Sequence, residues 1–379
     1  MLSNQTEVTA ADFSRLSVKE DDPENFIPKA NSTRCSSSAS SCPLQTSTSK
    51  WEISDLQTVG VFYHPKYTPL MKLLDMVYEQ TGMFGSLTIE QKEIVESLQK
   101  QIFFNYSMDD ITFGDDCLGE TQKNLNTIKQ KKMVYVEDFL RNTVLMVYSA
   151  MMRPQPDKVS EAVFVDLFKS LVKMCGLVPV SGSEWKSKQN ILQSVVSSEA
   201  DVILTTTDSL ESTLSPLNTM CVVSVVEVKN MTAQLNRTEE KNDCPMRTRP
   251  RRNISSYSTS SEESFYEEPF IFKRIRDRVL SQHGGELLMH VIEYNKWKNK
   301  FDCKTKKSKY RPGMIVVGTQ VTLTLFDYSY DHHRELKSKS VVEKGRSCIY
   351  YSEQRDFLKK EDRDMLLEAF VRMTNTEKV

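Results

Sequence analysis

The sequence has no apolar run approaching the roughly eighteen residues that a bilayer-spanning helix needs, and Met1–Ser14 is polar rather than a secretory leader. The expectation is a soluble, intracellular protein of the nucleus or cytoplasm, without membrane attachment. Cysteines paired at metal-ligand spacing are also missing. The eight present are scattered, and inside a cell they read as reduced thiols. Cys175 and Cys221 lie in apolar runs, where a thiol behaves as a small hydrophobe. No Gly-x-Ser-x-Gly and no phosphate-binding glycine loop occur, which leaves nucleophile-elbow and P-loop chemistry without a signature. Net charge is nearly absent too: 50 basic against 51 acidic residues leave −1. Any affinity for nucleic acid must therefore come from a local patch. His332 and His333 fall in an expected polar loop; adjacent side chains point apart and no third ligand is near, which argues against a histidine metal site.

Composition divides what is present. Residues 1–50 form a serine-rich tail expected to be disordered, because too little apolar surface is available to offset ordering entropy. Residues 51–153 read as a mostly helical unit. Leu70, Leu73, Leu74 and Val77 fall at helical spacing within 67–80, and Thr88 with Gln91 forms a capping box for the next helix. The acidic stretch 108–120 reads as a loop, and a helix over 134–152 stops before Pro154 and Pro156. This unit carries no chemical signature and is left as a candidate surface for a protein partner.

From 154 to 335 the pattern becomes α/β, with a disordered insertion expected over 231–268 and a C-terminal extension with a terminal helix over 336–379. An amphipathic helix spans 160–175, a shorter one is expected over 186–196, and 200–206 reads as a strand. Residues 221–230 (CVVSVVEVKN) are a valine run of the kind buried on both faces of a sheet. A long helix over 271–298 contains Gly284–Gly285, a pair that marks close backbone approach or a kink. Two strands, 314–318 and 321–326, are expected to meet at a Thr319–Gln320 turn. The fold class is α/β, a mixed central sheet flanked by helices and preceded by the helical unit.

The valine run poses the functional question. Glu227 and Lys229 project from one face of that strand, Val226 and Val228 from the other. Ionised groups at such a position are costly unless paired or bound to a metal. An acid opening one strand (Asp201), then a valine-rich strand ending in Glu227-x-Lys229, resembles the PD-(D/E)XK nuclease superfamily, the restriction-endonuclease-like fold, over about residues 155–330. The resemblance implies that Glu161 on the preceding helix and Gln282, with Glu286, on the following helix join the site. It departs in Ala200, where the motif has proline, and in the insertion of about forty residues before the second helix.

The implied chemistry is phosphodiester hydrolysis with Mg²⁺ or Mn²⁺. Hard cations take carboxylate and carbonyl oxygens, which Asp201, Glu227 and the Val228 carbonyl would supply. Lys229 would orient or help deprotonate the attacking water, and Glu161 would support from its helix. The alternative for Glu227 and Lys229 is a salt bridge at a sheet edge, with Asp201 a turn residue. A basic run, Lys296, Lys298, Lys300, Lys304, Lys306, Lys307, Lys309 and Arg311, has Trp297 and other aromatics interleaved and suits contact with nucleic-acid phosphates and bases, DNA or RNA. Nucleases that cut both strands often work in pairs, so a homodimer is a further expectation. The competing function class is a non-catalytic nucleic-acid- or protein-binding module on the same fold.

Overall fold

Local capping chemistry sets the first helices. The computed structural model describes residues 44–112, 116–153, 158–207, 222–234, 268–297, 309–338, 341–343 and 345–376, side chains of Thr112 and 294–297 excepted. Helix α1 (Ile53–Thr58) opens on a reciprocal Glu52–Asp55 pair, and a short strand β1 (Val61–Tyr63) follows. Helix α2 (Leu70–Thr81) buries Leu70, Leu73, Leu74 and Val77 and ends at Gly82, whose φ of 72° suits glycine. Helix α3 (Ile89–Gln101) begins at the Thr88/Gln91 box. The acidic stretch expected as a loop instead holds α4 (Met108–Thr112) and the start of α5 (Cys117–Lys131). Its acids serve helix starts: Asp116 Oδ1 accepts from the Gly119 N–H at 3.0 Å, and Asp110 accepts from Ser107. Helix α6 (Val134–Met151) completes this part of the chain.

Helix α7 (Glu161–Met174) ends at Gly176, and a strand follows immediately, β2 (Leu177–Ser181). Pro179 lies within β2, tolerated because β2 pairs with a single neighbour at the sheet's end. The expected helix over 186–196 is a β-hairpin: β3 (Ser187–Ile191) and β4 (Ser194–Ser198). Burial along β3 alternates strictly, and Leu192 and Gln193 turn the chain with φ of 47° and 64°. A period of two with paired left-handed residues defines a hairpin, and β-branched Val195 and Val196 favour it over a helix. Then come β5 (Val202–Thr206), β6 (Ser224–Lys229), α8 (Asp277–Trp297), β7 (Lys309–Val317) and β8 (Gln320–Tyr328). The β7–β8 turn is Gly318–Thr319, one residue earlier than expected, because Gly318 takes the φ of 60° there. His332 and His333 lie on a helix, α9 (Tyr330–Ser338), not in a loop. The buried His332 is spent on Ser347 Oγ and the Val59 carbonyl. Strands β9 (Ser347–Tyr351) and β10 (Arg355–Asp356) and helix α10 (Lys360–Arg372) close the chain.

The central sheet runs β1-β9-β8-β7-β6-β5-β2, with β10 added against β8. It is mixed: β6–β7 and β1–β9 are parallel and the remaining pairs antiparallel. One core cluster joins α2, α3, α5, α6, α7 and α10 to the face bearing Val202, Val226, Val228 and Val316. The other joins α1 and α8 to the face bearing Ile203, Val225, Ile315 and Val317. The described residues thus form a mixed α/β layout with helices on both faces of one sheet. Val61–Tyr63, from the helical N-terminal region, and Ser347–Tyr351, from the C-terminal segment, are strands of that same sheet.

Residues 44–50, expected in the serine-rich tail, are ordered: Leu44 and Thr48 are buried, and Ser47 bridges Ser197. Met231–Ala233 likewise forms a 3₁₀ turn at the start of the expected insertion. The rest of both segments, 1–43 and 235–267, lies outside the described residues. Gly284 and Gly285 cause no break in α8; they let α1 and Trp51 approach its backbone. Among the described residues, no helix is long and apolar enough to cross a membrane.

Candidate acid–lysine site

The site lies where β5 begins and β6 ends. Val202 pairs with Val226 across the antiparallel ladder, which sets Asp201 beside Glu227 and Val228. Asp201 Oδ2 accepts a hydrogen bond from the Val228 N–H at 2.8 Å and another from Lys229 Nζ at 3.1 Å. Lys229 Nζ also pairs directly with Glu227 Oε1, donates to the Val228 carbonyl at 3.1 Å, and stands 3.6 Å from Glu161 Oε1 at the start of α7. Three carboxylates from three separate elements therefore meet one ammonium. β6 is buried along its length, as its valine run implies, and Glu227 and Lys229 share the α8 side, as alternation requires.

Burial grades the four groups. Glu227 is fully buried, Lys229 and Asp201 keep some exposure, and the Glu161 side chain is 42% exposed. Burial, reinforced by the Asp201 charge, pushes the Glu227 carboxyl up to about 8, with Lys229 opposing. Glu161 is raised above the usual carboxylate range, first by burial and then by Asp201. For Lys229 burial acts to lower the pKa, but Glu227 and Asp201 outweigh it and hold the amine protonated, above its ordinary value.

On α8 the buried Glu286 carboxyl lies close to that of Glu227, and burial with the Glu227 charge raises it well above its ordinary value. Two buried acids so close are costly to ionise together, and among the described residues neither Glu227 oxygen has a partner apart from the lysine contact. Gln282 reaches the cluster at one remove: its Nε2 donates to Glu286 Oε1 at 2.9 Å. The group nearest Glu227 from α8 is thus Glu286, one helical turn beyond the glutamine that the motif singled out.

Glu161, Asp201, Glu227 and Lys229 are brought together, with Gln282 behind Glu286. The basic run is not brought to them as a set. Residues 298–308, including Lys298, Lys300, Lys304, Lys306 and Lys307, lie outside the described residues, and for Lys296 and Trp297 only the helical backbone is described. Arg311 is withdrawn from solvent: it is 5% exposed, inside β7, and its Nη1 donates to the Val222 carbonyl at 2.9 Å. A buried guanidinium bonded to a carbonyl serves the fold, and this position does not offer Arg311 on an open surface as the basic run suggested. Lys309 opens the same strand, half-buried.

The donor set fits a hard cation in kind: carboxylate and carbonyl oxygens, one acid buried with oxygens lacking ordinary partners. Among the described residues, however, no three acidic, histidine or cysteine side chains stand together in a metal-holding arrangement, and the Lys229 ammonium sits between the acids. No family model matches this sequence, and no curated protein matches it.

Proposed function

We propose that this protein is a nuclease-like, Mg²⁺-dependent phosphodiester hydrolase of DNA or RNA with a restriction-endonuclease-like, PD-(D/E)XK-type site. The observation that carries this reading is the meeting of Glu161, Asp201 and Glu227 around Lys229 Nζ at one end of the sheet. The chain order supports it: a helix bearing Glu161, a strand after Asp201, a strand ending in Glu227-x-Lys229, then a helix bearing Gln282.

Asp201 and Glu227, with the Val228 carbonyl, would hold the cation, which when bound supplies charge for the phosphoryl oxygens and acidifies a water. Lys229 remains an ammonium because the acidic groups of Glu227, Asp201 and Glu161 face it, so its part is to neutralise and orient rather than to take a proton. Glu161 is the most open of the acids and, raised above the usual carboxylate range, it could accept a proton from an attacking water. Gln282 steadies Glu286, and through it Glu227.

The test is cleavage of labelled single- and double-stranded DNA and RNA with Mg²⁺ or Mn²⁺. Asp201→Asn, Glu227→Gln and Lys229→Met should each lower the rate by about 100-fold or more while unfolding remains cooperative. Wild-type protein that cuts none of these substrates, or variants that cut as fast as wild type, would refute the enzyme. A second reading is a non-catalytic nucleic-acid- or protein-binding module. It is favoured by the ammonium already between the acids, which balances part of their charge without any metal. Salt-sensitive binding without metal-dependent cleavage would select it.

A further inference from the structure

Helix α6 packs on α4, α5 and α7 and turns Phe139, Leu140, Met146 and Val147 into the first core cluster. Its opposite face is open, yet it is not the polar face that a solvated helix presents. Val134, Leu145, Tyr148 and the C-cap Met152 lie there, 48–65% exposed, with the exposed Asp138 and Arg141 between them. In chain order the stripe is Val134, Asp138, Arg141, Leu145, Tyr148 and Met152, spaced by four, three, four, three and four residues. That alternation is the seam by which one helix packs along another, with Asp138, Leu145 and Met152 at a positions and the other three at d. Tyr135 and Met151, both exposed, flank it on either side. The buried side of the helix occupies b, c and f positions, so one face serves the core and the other carries an uncovered seam.

The two charges decide what covers it. Arg141 gives Nε and Nη2 to Glu137 Oε1 on its own helix, which leaves Nη1 for another acceptor, and Asp138 has no ion pair among the described residues. A second α6 lying parallel would set Asp138 against Asp138 and Arg141 against Arg141, and like charges repel. In an antiparallel pair, a positions meet d positions instead. A twofold axis at the level of residues 139–140 then sets Asp138 against Arg141 of the partner subunit and Val134 against Leu145 of the partner subunit, each contact occurring twice. Sliding the pair by one heptad would set Arg141 against Leu145 of the partner subunit and take the guanidinium out of water with no acid opposite. The charge order on this face is thus its own complement when read backwards, which is the condition a closed contact between two identical subunits must meet.

We propose that α6 is a dimerisation helix. Two copies of this chain pair through antiparallel α6 helices, with Asp138–Arg141 ion pairs at the centre and Val134–Leu145 layers on either side. The contact does not depend on the acid–lysine site or on the chemistry proposed for it. The stripe is about 27 Å long by helical rise and one helix wide, which covers less than the roughly 800 Å² per partner of a standard interface. A weak dimer, dependent on protein concentration, is therefore expected rather than a permanent one.

The test is analytical ultracentrifugation of the full chain from about 1 μM to a few hundred micromolar. Wild type should pass from monomer to dimer over this range. Leu145→Glu, Asp138→Arg and Arg141→Asp should each weaken association by about 10-fold or more, with circular dichroism and Tm showing that each variant remains folded. Asp138→Arg combined with Arg141→Asp restores opposite charges across the axis and should return association to within about threefold of wild type. That recovery is a readout which a general loss of stability cannot produce. A chain that stays monomeric throughout overturns the proposal and leaves the seam to a different occupant. A dimer indifferent to all three single substitutions, or an assembly that grows beyond two subunits, overturns it as well. Single substitutions that weaken the dimer, with a double reversal no better than either charge change alone, overturn the antiparallel pairing.

Discussion

Gly285→Ala is a sharp test of how α8 is seated. A Cβ built on Gly285 would lie 2.8 Å from Thr48 Cγ2 and 2.8 Å from Trp51 Cε3, with Trp51 Cζ3 at 3.0 Å. Carbon atoms at contact sit about 3.5–4.0 Å apart, so the new methyl intrudes by nearly an ångström on a ring that is itself fully buried. The indole has no room to retreat, because its Nε1 is tied to the Gln45 carbonyl at 3.0 Å. Alanine would recover about 1 kcal/mol of helix propensity, while overpacking costs about 1–3 kcal/mol. Because the obstacle is a rigid, buried ring, the overpacking cost falls at the upper end, and a net loss of about 2 kcal/mol follows, roughly 3 °C in Tm for a chain of this size. Gly284→Ala supplies the internal control. Its Cβ would meet Leu56 Cδ1 at 2.9 Å, the far end of a flexible side chain, so the same helix gain is set against a smaller clash. The measurement is thermal unfolding of both variants, followed by circular dichroism and by Trp51-sensitive fluorescence. Gly285→Ala as stable as wild type, or less harmful than Gly284→Ala, would refute the close approach of Trp51 to this helix.

Two further outcomes are expected. Glu227 retains its proton in the folded state up to about pH 8, against an unfolded carboxyl value of about 4.3, so folding takes up a proton between those limits and stability falls as pH rises. Glu227→Gln removes that dependence, and without divalent ions the variant should gain on wild type by up to ~1.4 kcal/mol per pH unit from about pH 5 to pH 8; a pH-independent difference in urea midpoints would refute it. Gln193→Gly should stabilise by about 1 kcal/mol, because Gln193 holds a φ of 64° in a two-residue hairpin turn where glycine is unstrained; a lowered Tm would refute this account of the turn.

Much of the candidate site was legible because chemistry and periodicity coincided. Glu227 and Lys229 interrupt a valine run at alternate positions, and strand alternation alone puts them on one face. Asp201 stands where the preceding strand begins, and the strand pairing sets it alongside them. Glu286 was harder to rank, since helical sequence spacing alone does not say whether residue 282 or 286 leans onto the strand. The β3–β4 hairpin was misread because its apolar residues are few, and Leu192 and Gln193 carry none of the glycine or asparagine that normally announces such a turn. Arg311 sat in a basic run, and charge count says nothing about which cation is drawn into a strand and buried. Residues 44–50 were assigned by composition to a tail, although Leu44 and Thr48 find cover in the second core.

The parallel pairing of β1 with β9 has a kinetic consequence. Val61–Tyr63 leaves the ribosome well before its hydrogen-bonding partner, Ser347–Ile349. The first strand must therefore wait, shielded or exposed, while the long stretch between the two is made. Closure over so long an intervening chain is entropically slow. A chain cut short before Ser347 would carry an orphan edge prone to pairing with neighbours, so that distant strand acts as a latch on β1.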